Sequence, residues 1–165
     1  MNILFTICGR AGSKGIKNKN IRFFNGKMLP YYSVSAVDLF LKQTHKNINY
    51  DIVVNTDSIE LIKIMENNNL RKVETIKRGP ELSGDSVGKI AVILDCLNQM
   101  ENRKAKRYDM VVDLDITSPL RTVSDLENLI NTHIEKDADV TTSVTTARRN
   151  PYFNQVKKTE KGYKK

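Results

Sequence analysis

The chain has 165 residues, of which 39% are hydrophobic, and this size and composition suit one folded domain with a sizeable core. Its apolar runs fall far short of the ~18 residues that a membrane-spanning helix needs, and its first residues do not resemble a secretory signal. We therefore expect a cytoplasmic protein without a membrane partner. The formal net charge is +8, but half of that excess lies in the lysine-rich residues 157–165, so we do not expect a nucleic acid partner.

Short apolar runs alternate with helical periodicities along the whole chain. We predict strands at 2–8, 51–55, 73–76, 109–115 and 139–145. The first helix is predicted at 30–42. A second follows Asp57 and a fourth begins at Ser124, where Asp57 with Glu60 and Ser124 with Glu127 have the spacing of a capping box. A third is predicted from a stretch with one apolar face, made of Val87, Ile90, Ala91, Leu94 and Leu97. Such alternation is typical of βαβ units. The sequence therefore predicts an α/β fold, Rossmann-like, with a mainly parallel open sheet and helices on both faces.

Three glycines, a serine and two cations follow the first predicted strand, in the stretch CGRAGSKG at residues 8–15. Glycine lets the backbone approach a ligand closely, and Arg10 and Lys14 add positive charge, so the loop suits a phosphate-rich ligand. The spacing matches neither the P-loop nor the dinucleotide-binding pattern. An ordinary turn between a strand and a helix is the alternative.

Polar loops also follow the other predicted strands, and ligands of open parallel sheets bind at the carboxyl ends of strands. Asp113 and Asp115 are two residues apart on a predicted strand, so their carboxylates lie on the same face. Neighbouring carboxylates repel each other unless a cation lies between them, and Mg²⁺ takes one or two carboxylates together with substrate phosphates. In the alternative, Asp113 is structural and only Asp115 lies near the ligand.

Residues 9–33 resemble the N-terminal signature of the CMP-sialic acid synthetases, or acylneuraminate cytidylyltransferases, which is close to A-R-x-G-S-K-G-x-x-x-K-N-I followed by G-K-P-L. Gly9 stands where that family has alanine, and Met28 where it has proline. Residues 78–86 resemble the family's R-P-x-E-L-A-x-D loop over the nucleotide base. Residues 117–121 resemble its T-S-P-L-R segment. The family commonly has glutamine in place of Asp115, which leaves the role of this residue open between substrate and metal binding.

The resemblance implies a fold of the nucleotide-diphospho-sugar transferase type and an enzyme that transfers CMP from CTP to the anomeric hydroxyl of a nonulosonic acid, an acidic nine-carbon sugar, with release of pyrophosphate. It implies catalytic roles for Arg10 and Lys19 and binding of Mg²⁺ by Asp113 and Asp115. It also implies nucleotide contacts from Gly12, Ser13, Lys14, Gly15, Asn20, Arg78, Ser86, Thr117 and Ser118. The alternatives are a cytidylyltransferase for another acidic sugar, such as 3-deoxy-manno-octulosonate, and a non-catalytic nucleotide-binding fragment.

Members of the family continue into a dimerisation extension that carries a late acidic motif. By this resemblance we expect residues 1–147 to form the nucleotide-binding domain and residues 148–165 to begin a truncated extension. A full-length form is expected to be a homodimer.

Overall fold

A computed structural model of the chain describes residues 1–13, 15–44, 46–84, 86–146, 156–160 and 162–164. The chain divides into two compact units, residues 1–127 and residues 128–165. The domain boundary predicted between residues 147 and 148 falls in a stretch that lies outside the described residues, so it stays a prediction.

The described elements follow one another largely as strand and helix in alternation. The helices are α1 (Leu29–Gln43), α2 (Ile59–Glu66), α3 (Lys89–Lys104) and α4 (Val123–Lys136). The strands are β1 (Asn2–Cys8), β2 (Phe23–Phe24), β3 (Lys27–Met28), β4 (Asn49–Thr56), β5 (Glu74–Lys77), β6 (Met110–Asp113), β7 (Lys157–Thr159) and β8 (Gly162–Lys164). None of these described helices has the length and apolar character that crossing a bilayer requires.

The first unit is built on a four-stranded sheet in the order β5-β4-β1-β6, in which every neighbouring pair is parallel. Within it, Thr6 of β1 is in register with Val53 on one side and with Asp113 on the other. The carboxyl ends of β1, β4 and β6 therefore lie at the same edge. Strands β2 and β3 form a separate antiparallel pair between β1 and α1 in the chain.

Helices cover both faces of this sheet. Leu4 of β1 packs with Cys96 and Met100 of α3 on one face. Phe5 points to the opposite face because successive strand residues alternate, and its ring contacts that of Phe40 in α1, with 6.2 Å between ring centroids. The predicted α/β fold with an open parallel sheet is confirmed.

The helix start predicted at Asp57 is wrong by one residue. Ser58 is the N-cap of α2, and its hydroxyl accepts a hydrogen bond from the amide of Leu61 at 3.2 Å. The Asp57 carboxylate instead accepts from the amide of Ala11 at 2.7 Å. An aspartate beside a serine offers two possible caps, and here the contact with the loop after β1 decides between them.

The capping box predicted at Ser124 and Glu127 is also wrong. The Thr122 hydroxyl accepts from the amide of Asp125 at 3.1 Å, and the carboxylate of Asp125 accepts from the amide of Thr122 at 2.8 Å. This reciprocal pair satisfies two of the amides that a helix start leaves without partners. It therefore starts α4 two residues earlier than the sequence indicated.

The predicted apolar face of α3 is only partly right, since Leu97 packs against the core but most of that face does not. Ile90 and Leu94 are 72% and 53% exposed, whereas Val92, Cys96 and Met100 are buried. The helix carries two apolar stripes at helical spacing, and the sheet packs against the second. Periodicity alone does not distinguish them.

Two predicted strands differ from the structure. The one predicted at 109–115 ends at Asp113, with the amide of Leu114 making one last hydrogen bond to the carbonyl of Thr6 at 2.9 Å. The strand predicted at 139–145 is wrong. The structure describes this whole range, and none of its residues is in a strand. Val140 and Val144 are exposed. A β-branched run needs a hydrogen-bonding neighbour and a buried face to become a strand.

The second unit contains the end of α4 and an antiparallel hairpin of β7 and β8. The ring of His133 lies 3.0 Å from the hydroxyl of Thr141. This contact links α4 to the segment that follows it.

A buried carboxylate anchors α1 within the first unit. Asp38 is 4% exposed and accepts hydrogen bonds from Lys42 at 2.8 Å and from Arg71 at 2.6 Å. The hydrogen bond from Lys42, reinforced by Arg71, outweighs burial and holds the pKa of Asp38 below its ordinary value. The carboxylate is thus kept ionised by its two cations.

Candidate functional site

A pocket of about 240 Å³ opens at the carboxyl edge of the sheet. Residues from the loops after β1, β5 and β6 and from the start of α3 line it. Six residues singled out from the sequence meet there: Arg10, Lys19, Asn20, Arg78, Asp115 and Thr117. A larger depression of about 390 Å³ lies between α2 and β5, and none of the predicted site residues lines it. The smaller pocket is therefore the candidate site.

The loop after β1 is held close to the sheet by its own backbone. The amide of Gly9 donates to the carbonyl of Asn55 at 3.2 Å, and the side-chain amide of Asn20 donates to the carbonyl of Arg10 at 2.9 Å. A Cβ atom on Gly9 would lie 2.7 Å from Cδ1 of Ile116 and 2.9 Å from Cδ2 of Leu61. A side chain at this position would therefore require the tips of Ile116 and Leu61 to shift.

The remaining predicted residues of this loop lie at its outer part. Gly12 has a φ of +68°, a conformation that favours glycine. Ser13 is half-buried and Gly15 is exposed, and none of these three lines the pocket. Lys14 lies outside the described residues. Their contacts with a nucleotide stay predictions.

A buried network fixes Arg78 beside the pocket. Arg78 is 8% exposed, and its Nε and one terminal nitrogen donate to the side-chain and backbone oxygens of Asn55 at 2.7 and 2.8 Å. The side-chain nitrogen of Asn55 donates in turn to Asp95 of α3 at 2.9 Å. Gln99 also donates to the Asp95 carboxylate. These contacts hold the guanidinium in one orientation.

Asn55 and Asp95 are site residues that the sequence did not single out individually. Asn55 directly follows the apolar residues 52–54 of β4, and an asparagine there, close to the carboxyl end of a central strand, is a usable signal. Asp95 lies in the middle of α3, where an aspartate ordinarily indicates a solvated surface. Only the packing of α3 on the sheet brings it to Asn55.

The two candidate metal ligands converge on a cation that belongs to the chain itself. The ammonium of Lys89 lies 2.5 Å from Oδ2 of Asp113 and also contacts Asp115. The hydroxyl of Thr6 donates to the other oxygen of Asp113 at 2.8 Å. Although burial opposes it, the negative charge and hydrogen bonds of the two carboxylates raise the pKa of Lys89 above its ordinary value.

This arrangement fits a divalent cation with few protein ligands. Among the described residues, no group of three or more histidine, cysteine, aspartate or glutamate side chains is placed to hold a metal. Asp113 and Asp115 nonetheless direct oxygens to one point where a positive charge lies. Two carboxylates supplemented by substrate phosphates are a common set for Mg²⁺. The assignment of both residues as metal ligands stays a prediction.

The segment after β6 adds a residue that sequence reasoning left aside. Arg121 donates to the carbonyl of Asp115 at 2.7 Å and to the hydroxyl of Ser33 at 3.3 Å, and burial lowers its pKa. It thereby ties the loop that carries Asp115 to α1. Of the other predicted residues, Ser118 and Ser86 are exposed and do not line the pocket.

The thiols of Cys8 and Cys96 meet under the pocket. Cys8 is half-buried and lines the pocket, while Cys96 is fully buried, and neither forms a disulfide. A hydrogen bond with Cys96, together with burial, raises the pKa of the Cys8 thiol far above its ordinary value. The hydrogen bond and burial therefore disfavour the thiolate form of Cys8.

Comparison with known proteins gives a family and several relatives. A family model described as cytidylyltransferase matches residues 4–162. Post-translational flagellin modification protein B of Campylobacter coli is 36% identical over 156 residues, which cover 93% of this chain and 62% of that protein. CMP-N,N'-diacetyllegionaminic acid synthase of Campylobacter jejuni is 34% identical over 154 residues, with the same coverage of both chains. This chain therefore spans about three fifths of the length of these two relatives.

More distant similarity extends to other cytidylyltransferases. N-acylneuraminate cytidylyltransferase of Streptococcus agalactiae is 28% identical over 154 residues, covering 92% of this chain and 34% of that protein. Among solved structures, CMP:2-keto-3-deoxy-manno-octonic acid synthetase complexed with CTP has a TM-score of 0.57 at 17% identity. The match covers 84% of this chain and 49% of that one. At this identity the likeness supports the fold alone.

Proposed function

The chain belongs to the cytidylyltransferase family, and on that basis we propose that it forms the nucleotide-binding part of an enzyme that transfers CMP from CTP to an acidic nine-carbon sugar. The observation that carries the proposal is the pocket, in which cations of the chain meet the acidic residue Asp115; these cations are Arg10, Lys19, Arg78 and Lys89. A triphosphate needs the cations, and a metal bound to it needs carboxylates.

In the proposed reaction the anomeric C2 hydroxyl of the sugar attacks the α-phosphate of CTP and a new P–O bond forms. The bond from the α-phosphorus to the oxygen that bridges to the β-phosphate breaks, pyrophosphate leaves, and the proton of the hydroxyl passes to water. Arg10 and Lys19 offset the negative charge that spreads over the phosphates in the transition state. Mg²⁺, held by Asp113 and Asp115, supplies further charge neutralisation when bound. The immobilised guanidinium of Arg78 contacts the cytidine part of the nucleotide. Placed polar groups of this kind reject the wrong base.

The names of the two Campylobacter relatives support the choice of a sialic-type sugar. One is named a CMP-N,N'-diacetyllegionaminic acid synthase and the other a flagellin modification protein. We infer that the acceptor of this chain's enzyme is a nonulosonic acid of the same class, destined for a surface glycan. A homodimer and a cytoplasmic location complete the proposal, and light scattering tests the first.

The proposal is tested by pyrophosphate release from CTP, UTP, ATP and GTP with a panel of acidic sugars that includes nonulosonic acids and 3-deoxy-manno-octulosonate. The assay uses the enzyme that contains this chain, and for it we expect release with CTP and a nonulosonic acid only. Release with 3-deoxy-manno-octulosonate instead would assign the enzyme to the other acidic sugar. A preparation that binds CTP but releases no pyrophosphate with any sugar would identify a non-catalytic nucleotide-binding protein.

A further inference from the structure

Lys89 occupies an unusual position for a cation. It is the first residue of α3, where the partial positive charge of the helix N-terminus disfavours a lysine. Its side chain nevertheless turns to the carboxylates of Asp113 and Asp115. The pair of carboxylates, rather than the helix, therefore accounts for the position of this ammonium.

Each carboxylate oxygen of Asp113 has a different partner, and Lys89 is one of the two. Thr6 donates to Oδ1, and the ammonium of Lys89 lies 2.5 Å from Oδ2. A magnesium ion bound by this carboxylate would lie about 2.0–2.1 Å from an oxygen. An ammonium and a metal ion of this charge do not share that space.

We propose that Lys89 is the resident counter-ion of the Asp113–Asp115 pair and that a divalent cation must displace its ammonium to bind there. The inference rests on the proposed function, since that function is what calls for a divalent cation. The Lys89 side chain is 40% exposed and has four flexible methylene groups, so it is free to move away. Metal alone then binds weakly, whereas metal that arrives with a triphosphate brings further oxygen ligands with it.

The charges of Asp113 and Asp115 agree with this assignment. An aspartate adds a negative charge beside Asp113, and like charges in contact are costly without a cation. Lys89 supplies that cation in the same contact. Asp115 and Lys89 thus form a pair of opposite charges in this chain.

The test is a titration with Mn²⁺ alone, followed by electron paramagnetic resonance at pH 8, on wild type, Lys89→Met, Lys89→Arg and Lys63→Met. Methionine keeps the length of the side chain and removes its charge. Lys63 is an exposed lysine of α2 that makes no contact with the carboxylates, so its substitution controls for the lost charge. Thermal melts confirm that each variant is folded.

We expect Lys89→Met to bind Mn²⁺ about tenfold more tightly than wild type, the equivalent of the one pKa unit that a neighbouring charge typically contributes. Lys89→Arg and Lys63→Met should stay near wild type. Adding Asp115→Asn to Lys89→Met should abolish the gain. A gain below threefold, or one that survives Asp115→Asn, would overturn the proposal. Failure of the wild-type chain to bind CTP would refute the proposed function separately, because no nucleotide enters this titration.

Discussion

Truncating Asn55 to alanine removes the side chain that joins Arg78 to Asp95. The oxygen of Asn55 accepts from Nε of Arg78 at 2.7 Å, and its nitrogen donates to Asp95 at 2.9 Å. Both hydrogen bonds involve a charged partner, and Asn55 is fully buried. Hydrogen bonds to charged groups contribute about 1.5–3 kcal/mol each. Asn55→Ala should therefore lower the free energy of unfolding by about 3–6 kcal/mol.

Urea denaturation at 25 °C measures this loss, and a small domain with about 5–15 kcal/mol of stability has room for it. Asn67→Ala is the matched control. Asn67 also donates through its side chain, to the carbonyl of Lys63 at 2.8 Å, but it is exposed. Its truncation should cost less than about 1 kcal/mol. A loss below about 1 kcal/mol for Asn55→Ala would refute the reasoning. It would mean that water replaces the hydrogen bonds that Asn55 makes to Arg78 and Asp95.

Three further predictions follow from single contacts. Gly9→Ala should destabilise the chain by about 1 kcal/mol, because its Cβ requires the tips of the Ile116 and Leu61 side chains to shift, while Gly15→Ala, which meets no atom within 4 Å, should not; equal melting temperatures would contradict this. Asp38→Asn should lower stability at pH 7, and the deficit should begin to shrink as the pH falls below about 4 and vanish only below the depressed pKa of the folded state, because protonation of Asp38 in the folded protein then removes the ion pairs; a deficit in thermal melts that is as large at the lowest pH at which the chain stays folded as at pH 7 would argue against the ion pairs. Arg10→Ala should lower pyrophosphate release by about 10²- to 10³-fold with little change in melting temperature, and near-normal turnover would remove Arg10 from the catalytic residues.

The sequence predicts the central strands well because their signal is local. The run of β1 is apolar and ends in glycines, so both its course and its carboxyl end are evident. The run at 139–145 has a similar β-branched composition, but whether it pairs depends on a neighbouring strand that composition does not reveal. Local pattern therefore identifies a candidate strand, and tertiary contacts decide whether it forms.

The residues of the candidate site also fall into two groups, those that local sequence indicates and those that depend on tertiary contacts. Arg10, Lys19 and Asp115 follow predicted strands or belong to recognisable motifs, so the sequence indicates them. Lys89 and Asp95 lie on α3, and their contacts with Asp113 and Asn55 depend on which stripe of that helix faces the sheet. The sequence favours the wrong stripe, and these two contacts could not have been predicted from it.

Binding of CTP in the presence of Mg²⁺, measured by calorimetry on wild type, Lys19→Ala and Lys17→Ala, tests the central claim most directly. Lys19 lines the pocket, whereas Lys17 is an exposed lysine of the same loop that does not. We expect wild type and Lys17→Ala to bind CTP alike, and Lys19→Ala to bind about tenfold more weakly, since a lost charged contact typically costs at least 1.4 kcal/mol. No binding of CTP by the folded wild-type chain, or equal affinity in Lys19→Ala, would contradict the assignment of this pocket as the nucleotide site.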